Sequence, residues 1–206
     1  MRTLYKTTVT FGAALLFVNL VLAQALTTPI YGLAGLVPQP GVMKELKLTD
    51  KQVDQSKKAA QAVTEKHKDE LAQLETLQGN EKAKKATELS KLIAEESNAA
   101  LARVLSADQI KRLKEIRIQQ KGIFAFGETE VTGALKLSTE QSKKLRAVNK
   151  EYQTAMLAAS KLSTAAEKAQ AANAAIKDAM AKAVELLDDT QKKAWKELTG
   201  EPYQGR

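Results

Sequence analysis

The sequence predicts an all-α chain: two tandem helical hairpin units forming an elongated antiparallel helical layer behind a signal peptide. Three observations carry that reading. Apolar residues recur at steps of three and four over most of the chain, which is the spacing of one helix face. A five-residue pattern occurs four times, at 48–52, 105–109, 137–141 and 187–191: Leu, then Thr, Ser or Asp, two variable residues, then Gln. Aromatic residues make up 4% of the 206 residues and cysteine is absent. The core must therefore come from Leu, Ile, Val and Ala, a composition that suits thin helical layers and coiled-coil seams.

Residues 1–25 read as a secretory signal. Arg2 and Lys6 form a basic start, and residues 9–22 are apolar apart from Thr10, Gly12 and Asn19. Ala23-Gln24-Ala25 offers a cleavage site. The apolar run is shorter than the roughly 20 residues that a membrane span needs. The expectation is an exported protein of a bacterial periplasm or cell envelope, with no stable membrane span after cleavage. Without cysteine it has no disulfide staple, so stability must rest on helix packing. Net charge is +8, or +6 without Arg2 and Lys6. Lysines are interleaved with acids and glutamines rather than blocked together, which reads as a solvated helix face and not a nucleic-acid arm.

Residues 26–45 carry Pro29, Gly32, Gly35, Pro38, Pro40 and Gly41. Such punctuation predicts a loop or extended lead-in, with Ile30, Tyr31, Leu33, Leu36 and Val37 available to dock on the helices. The first hairpin repeat, 46–121, opens on Thr49. Thr49, Ser106, Ser138 and Asp188 are each placed to cap a helix start. The Gln three residues on is placed to close a capping box. A first long helix over 50–77 follows, with Val53, Ser56, Ala60, Val63, His67, Leu71, Leu74 and Leu77 on its seam. Gly79-Asn80 is the turn. A second helix over 81–104 shows Ala86, Leu89, Ile93, Ser97, Ala100 and Val104, widened by Leu92 and Leu101. A third, over 107–120, presents Ile110, Leu113, Ile116 and Ile118.

Residues 122–134 break the pattern and read as a junction, with Phe124 and Phe126 expected to be buried where the halves meet. The second hairpin repeat, 135–199, then restates the first. A helix over 139–159 shows Leu145, Val148, Tyr152, Ala155 or Met156, and Ala159. After a turn, an Ala-rich helix over 165–186 places Ala169, Asn173, Ile176, Met180, Ala183 and Leu187 on one side. A short last helix carries Trp195 and Leu198, and 200–206 is a tail. The two boxes are 57 positions apart in the first half and 50 in the second. A difference of seven, one heptad, keeps a seam in register.

The repeated motif resembles that of the Spy/CpxP family of small exported helical proteins. The run from Leu105 to Ile116, then Gln119-Gln120-Lys121-Gly122, Glu130-Val131 and Leu135-Lys136-Leu137-Ser138, is similar to exported bacterial proteins carrying the same motif. The resemblance spans about residues 42–198 and implies a helical hairpin fold, export, and chaperone or stress-response roles. In Spy-like members a subunit has two motifs and dimerises into a cradle. Four motifs therefore imply a monomer that is an internal pseudo-dimer. The chain departs from these relatives in being rich in Lys and Ala and poor in Arg and Met.

Chemistry is not expected. No catalytic, cofactor-binding or metal residues are assigned. His67 is the single histidine and reads as a seam residue, since one histidine makes no metal site without several further ligands. Glu95-Glu96 and Asp188-Asp189 are neighbours on a helix and point in different directions, so neither is an acid/base pair. Trp195 reads as a packing anchor. The expected role is non-enzymatic and cofactor-free: an ATP-independent chaperone or stress-response protein binding unfolded or envelope proteins. The alternatives are an adaptor for one folded envelope partner and, behind it, a metal or stress sensor. The longer first hairpin is expected to overhang, with a partner-binding edge near Leu74 and Leu77.

Overall fold

The computed structural model describes residues 32–205, so the expected signal peptide, residues 1–25, and Ile30–Tyr31 lie outside the described residues. Every regular element among the described residues is helical. A 3-10 turn, Gly32–Gly35, leads into α1 (Pro40–Glu45). Then come α2 (Asp50–Lys66), α3 (Lys68–Thr76), α4 (Gly79–Leu101) and α5 (Ala107–Lys121). A second 3-10 turn, Gly122–Gly127, leads into α6 (Thr129–Ala134), followed by α7 (Thr139–Ser160), α8 (Ala165–Glu185) and α9 (Asp189–Thr199).

The four predicted capping boxes all form, at Thr49/Gln52, Ser106/Gln109, Ser138/Gln141 and Asp188/Gln191. A fifth, Thr164/Glu167, starts α8. Each satisfies two backbone donors that a helix start leaves unpaired.

Three clusters make the core. One gathers Leu33, Leu36, Val37, Val42, Leu46, Leu101, Leu105, Leu113, Ile116 and Tyr203. The second gathers Ile118, Ile123, Phe126, Val131, Leu135, Leu145, Val148, Leu187 and Trp195 with Ala125, Ala179 and Ala183. The third is small: Val63, Leu89 and Ile93, flanked by Leu71 and Leu74. Helix α5 ties the first two together. Leu113 and Ile116 face one and Ile118 the other.

Several expectations need correcting. Residues 32–45 are not an extended lead-in. Leu33, Leu36, Val37 and Val42 are fully buried, and Pro40 sits at the start of α1, where its fixed φ and missing N–H suit a first helical turn. The helix over 50–77 is two helices, broken at His67. Phe126 is buried and stacks on Trp195 with centroids 4.3 Å apart, but Phe124 is 47% exposed, edge-on to Tyr152. The reason is the three-residue period of a 3-10 turn: Ile123 and Phe126 share the inward face and Phe124 falls off it. The buried stripe of α8 is Ala172, Ala179 and Ala183, while Asn173 and Ile176 are exposed. On α8 the smallest side chains face inward, because alanine lets α7 approach closely. The 200–205 segment is not a free tail. Tyr203 is buried in the first cluster, and its N–H donates to Gln119 Oε1 at 2.8 Å.

Candidate interaction surface

The motif glutamines do more than cap. In the first half, Gln52 Oε1 accepts the Thr49 N–H at 3.1 Å and closes its own box. Its Nε2 donates across to Gln109 Oε1 at 2.9 Å and approaches the Val104 carbonyl at 3.4 Å. Gln109 Nε2 donates to the Leu46 carbonyl at 3.1 Å. The second pair of motifs repeats these bonds and adds a reciprocal one, from Gln191 Nε2 to Gln141 Oε1 at 3.0 Å. Gln141 Nε2 donates to the Leu186 carbonyl at 3.0 Å and to Gln191 Oε1 at 2.6 Å. Gln191 Nε2 donates to the Leu135 carbonyl at 3.1 Å. Leu46, Leu135 and Leu186 are the C-cap residues of α1, α6 and α8, whose carbonyls lack a helical partner. One amide thus caps the start of its own helix with its oxygen and the end of a neighbour with its nitrogen. Glutamate can do only the first. The motif glutamines are a structural clasp: the capping Thr49, Ser106, Ser138 and Asp188 stay exposed, while the crossed amides are partly or fully buried against each other.

The backbone beside the clasp matches as well. Lys47 and Lys136, in the two Leu-Lys-Leu sequences, both sit at φ 49°. Gly32 and Gly122, which open the two 3-10 turns, sit at φ 54° and 55°. A side chain at Gly32 would meet Asn98 and Ala94 at 2.9 and 3.2 Å, so that turn needs glycine for close approach as well as for its dihedral.

His67 is buried, with Nε2 3.1 Å from Glu96 Oε2 on α4. Glu96 also receives Lys66 Nζ at 2.7 Å. The hydrogen bonds from Lys66 and then His67 hold the Glu96 carboxyl below its ordinary value of 4.5. His67 Nδ1 has no hydrogen-bond partner, and Glu70 Oε1 lies 3.6 Å from it. Among the described residues no group of three His, Cys, Asp or Glu side chains is placed to hold a metal ion. The neighbour of Glu96, Glu95, turns outward to within 3.8 Å of Lys91. Asp188 caps α9, and Asp189 is fully exposed near Lys192. Neither pair of adjacent carboxylates converges. Trp195 is 9% exposed, packed on Phe126.

A second polar knot joins the ends of the chain. Arg112 binds Glu45 at 2.6 Å, Glu115 at 2.9 Å and the Glu201 carbonyl at 2.8 Å. Gln119 Nε2 donates to the Thr199 and Glu201 carbonyls. Arg112, Glu115 and Gln119 lie in the stretch that carries the family resemblance, but nothing in the repeated motif marks them as partners of Glu45 and Glu201. At the end of α5, burial pushes the Lys121 ammonium below its ordinary range, and it pairs with Glu128.

What remains for binding is surface. An open groove runs along α2, lined by Ala34, Val37, Pro38, Val53, Lys57 and Ala60. Among the described residues five large apolar side chains are exposed: Leu92, Phe124, Leu157, Leu162 and Ile176. Four of them lie on or beside the α7–α8 hairpin. Lys150, Lys161, Lys168 and Lys177 on that hairpin and its turn form no ion pair with another described residue. No described helix is long and apolar enough to cross a membrane. No family model matches the chain, and neither a curated protein nor a solved structure matches it.

Proposed function

We propose that the chain is a non-enzymatic, exported helical protein of the Spy/CpxP kind that binds unfolded or envelope proteins without ATP. The observation that carries this reading is the α7–α8 hairpin. Phe124, Leu157, Leu162 and Ile176 stand exposed there among lysines without acidic partners. Apolar side chains grip an unfolded chain loosely, and free lysines draw in acidic segments. The architecture fits a fused pair: two copies of one hairpin unit, 32–121 and 122–203, covering each other as an internal pseudo-dimer. The paired φ values, the matching glutamine clasps and the exchange of Ile118 and Tyr203 between clusters support that reading. The unit then begins at the 3-10 turn, so the stretches first read as lead-in and junction are the same part twice.

The test is suppression of aggregation of reduced, unfolded α-lactalbumin by the mature protein at near-equal concentrations. Suppression without nucleotide, weakened when Leu157 and Ile176 are both changed to Ser, supports the reading. No suppression, together with stable recovery of one folded envelope protein, replaces it with the adaptor role. The metal-sensor alternative predicts a shift in melting on adding zinc or copper.

A further inference from the structure

The two hairpins differ at one joint. In the first, the chain between Thr49 and Gln78 breaks at His67, whose φ of −101° and ψ of 17° are not helical. The cause is neither proline nor glycine, the usual sources of a kink. The His67 N–H is shared between the Val63 and Thr64 carbonyls at 3.3 and 3.2 Å, while its side chain turns inward to Glu96. In the second hairpin α7 runs unbroken, and the corresponding residue, counting from the capping Ser138 as His67 counts from Thr49, is Met156.

Helix α3 is also the least anchored. It alone of the described α-helices has no buried residue. Its start at His67 has no side-chain cap, and neither does the start of α4 at Gln78 just beyond its end. The matching turn of the second hairpin is closed by the Thr164/Glu167 box. What holds α3 down is Leu71 and Leu74, half-buried on Val63, Leu89 and Ile93, the His67–Glu96 bond at its root and one exposed ion pair near its tip, Glu75 with Lys82 at 3.6 Å.

We infer that α3 is a hinged cover over the apolar seam of α2 and α4, latched by His67 and Glu96. When the cover lifts, Val63, Leu89 and Ile93 are exposed together with Leu71 and Leu74, a continuous apolar stripe that the closed form hides. That the stripe serves protein clients rests on the function proposed above; the hinge itself does not. A segment of this kind opens locally, at a free energy well below that of global unfolding.

Hydrogen exchange of the full mature chain, read by mass spectrometry, tests the hinge without reference to any client. Amides of 68–76 should exchange at least about tenfold faster than those of 50–66 and 139–160. Glu96→Ala should speed exchange of 68–76 by about a further tenfold, the loss expected for a hydrogen bond to a charged group, with 139–160 unchanged. His67→Met removes the same latch from the other side, so it should speed exchange over 68–76 about as much as Glu96→Ala, and combining the two should add little. Equal protection of 68–76 and 50–66, or a Glu96→Ala effect spread evenly over both hairpins, overturns the inference. Aggregation suppression that persists without a mobile α3 leaves the function standing and the hinge refuted.

Discussion

Set side by side, the two hairpins proposed above share a frame and differ in what fills it. Both start from a capped helix, both close with a crossed glutamine pair, and both lie under a 3-10 turn followed by a six-residue helix. The first hairpin fills its seam with Leu89, Ile93 and Leu101 but also with Ser56, His67 and Ser97, whose Ser56 and Ser97 hydroxyls are buried without a partner. The second uses alanines on α8 and has no break and no uncapped turn. The lesson is that the clasp sets the architecture, whereas the seam sets how firmly each hairpin is closed. Loosening is confined to the arm farthest from the clasp.

The largest expected effect is on the core that the halves share. Trp195→Ala removes the stack on Phe126 and should cost about 3–5 kcal/mol. Because α5 contributes to both clusters, urea unfolding followed by separate probes in each hairpin should still show one coincident transition. Two separated transitions would mean that the hairpins are independent. Smaller is the loss of a cap. Ser138→Ala and Thr164→Ala should each cost about 0.5–2 kcal/mol, and Thr164→Ala should make exchange at the 161–164 turn resemble that at the first hairpin's tip. Smaller still is a gain. Gln78 already has the extended backbone of an N-cap, and Glu81 lies three residues on. Gln78→Ser completes a capping box, so it should raise stability by up to about 1 kcal/mol and remove part of the difference between the hairpins.

The smallest effect is on pH dependence. Lys66 and His67 lower the Glu96 carboxyl below 4.5. The unfolded chain therefore binds that proton more readily than the folded one, and stability rises with pH through this range. The contribution is fully present above 4.5 and is lost as pH falls through the lower folded value. Thermal melts of Glu96→Gln should show a shallower fall with acid than the parent, and a parallel fall would discount the latch.

The helices and their caps were legible because both signals are local. Capping needs four residues, and a seam needs only regular spacing. The crossed glutamines were not legible, since nothing in a capping box says that its Nε2 will reach a carbonyl 45 to 63 residues away. The break at His67 was hidden because the seam keeps its spacing through it, and only the facing Glu96 explains the turn. The α8 face was legible at Met180, Ala183 and Leu187, which lie in or against the core, and was off by one position at Asn173, exposed beside the buried Ala172, because close helix approach selects small side chains that carry little hydrophobic signal. Tyr203 and the Arg112 knot join parts about 80 to 90 residues apart, with no periodic mark. The fifth box was legible as Thr164-x-x-Glu167 but does not fit the Leu-led pattern.

The motif requires glutamine because its amide must both accept and donate. Equilibrium urea unfolding of Gln191→Glu, set against Glu167→Gln, tests it most directly. Glutamate at 191 can still close the Asp188 box but has no hydrogen for the Leu135 carbonyl, so the variant should lose about 1–3 kcal/mol. Glu167 serves a box that crosses to no other helix, so glutamine there should cost less than about 1 kcal/mol, the share of charge at a helix start. If Gln191→Glu is as stable as the parent, or if the two exchanges cost the same, the clasp is not what the motif builds.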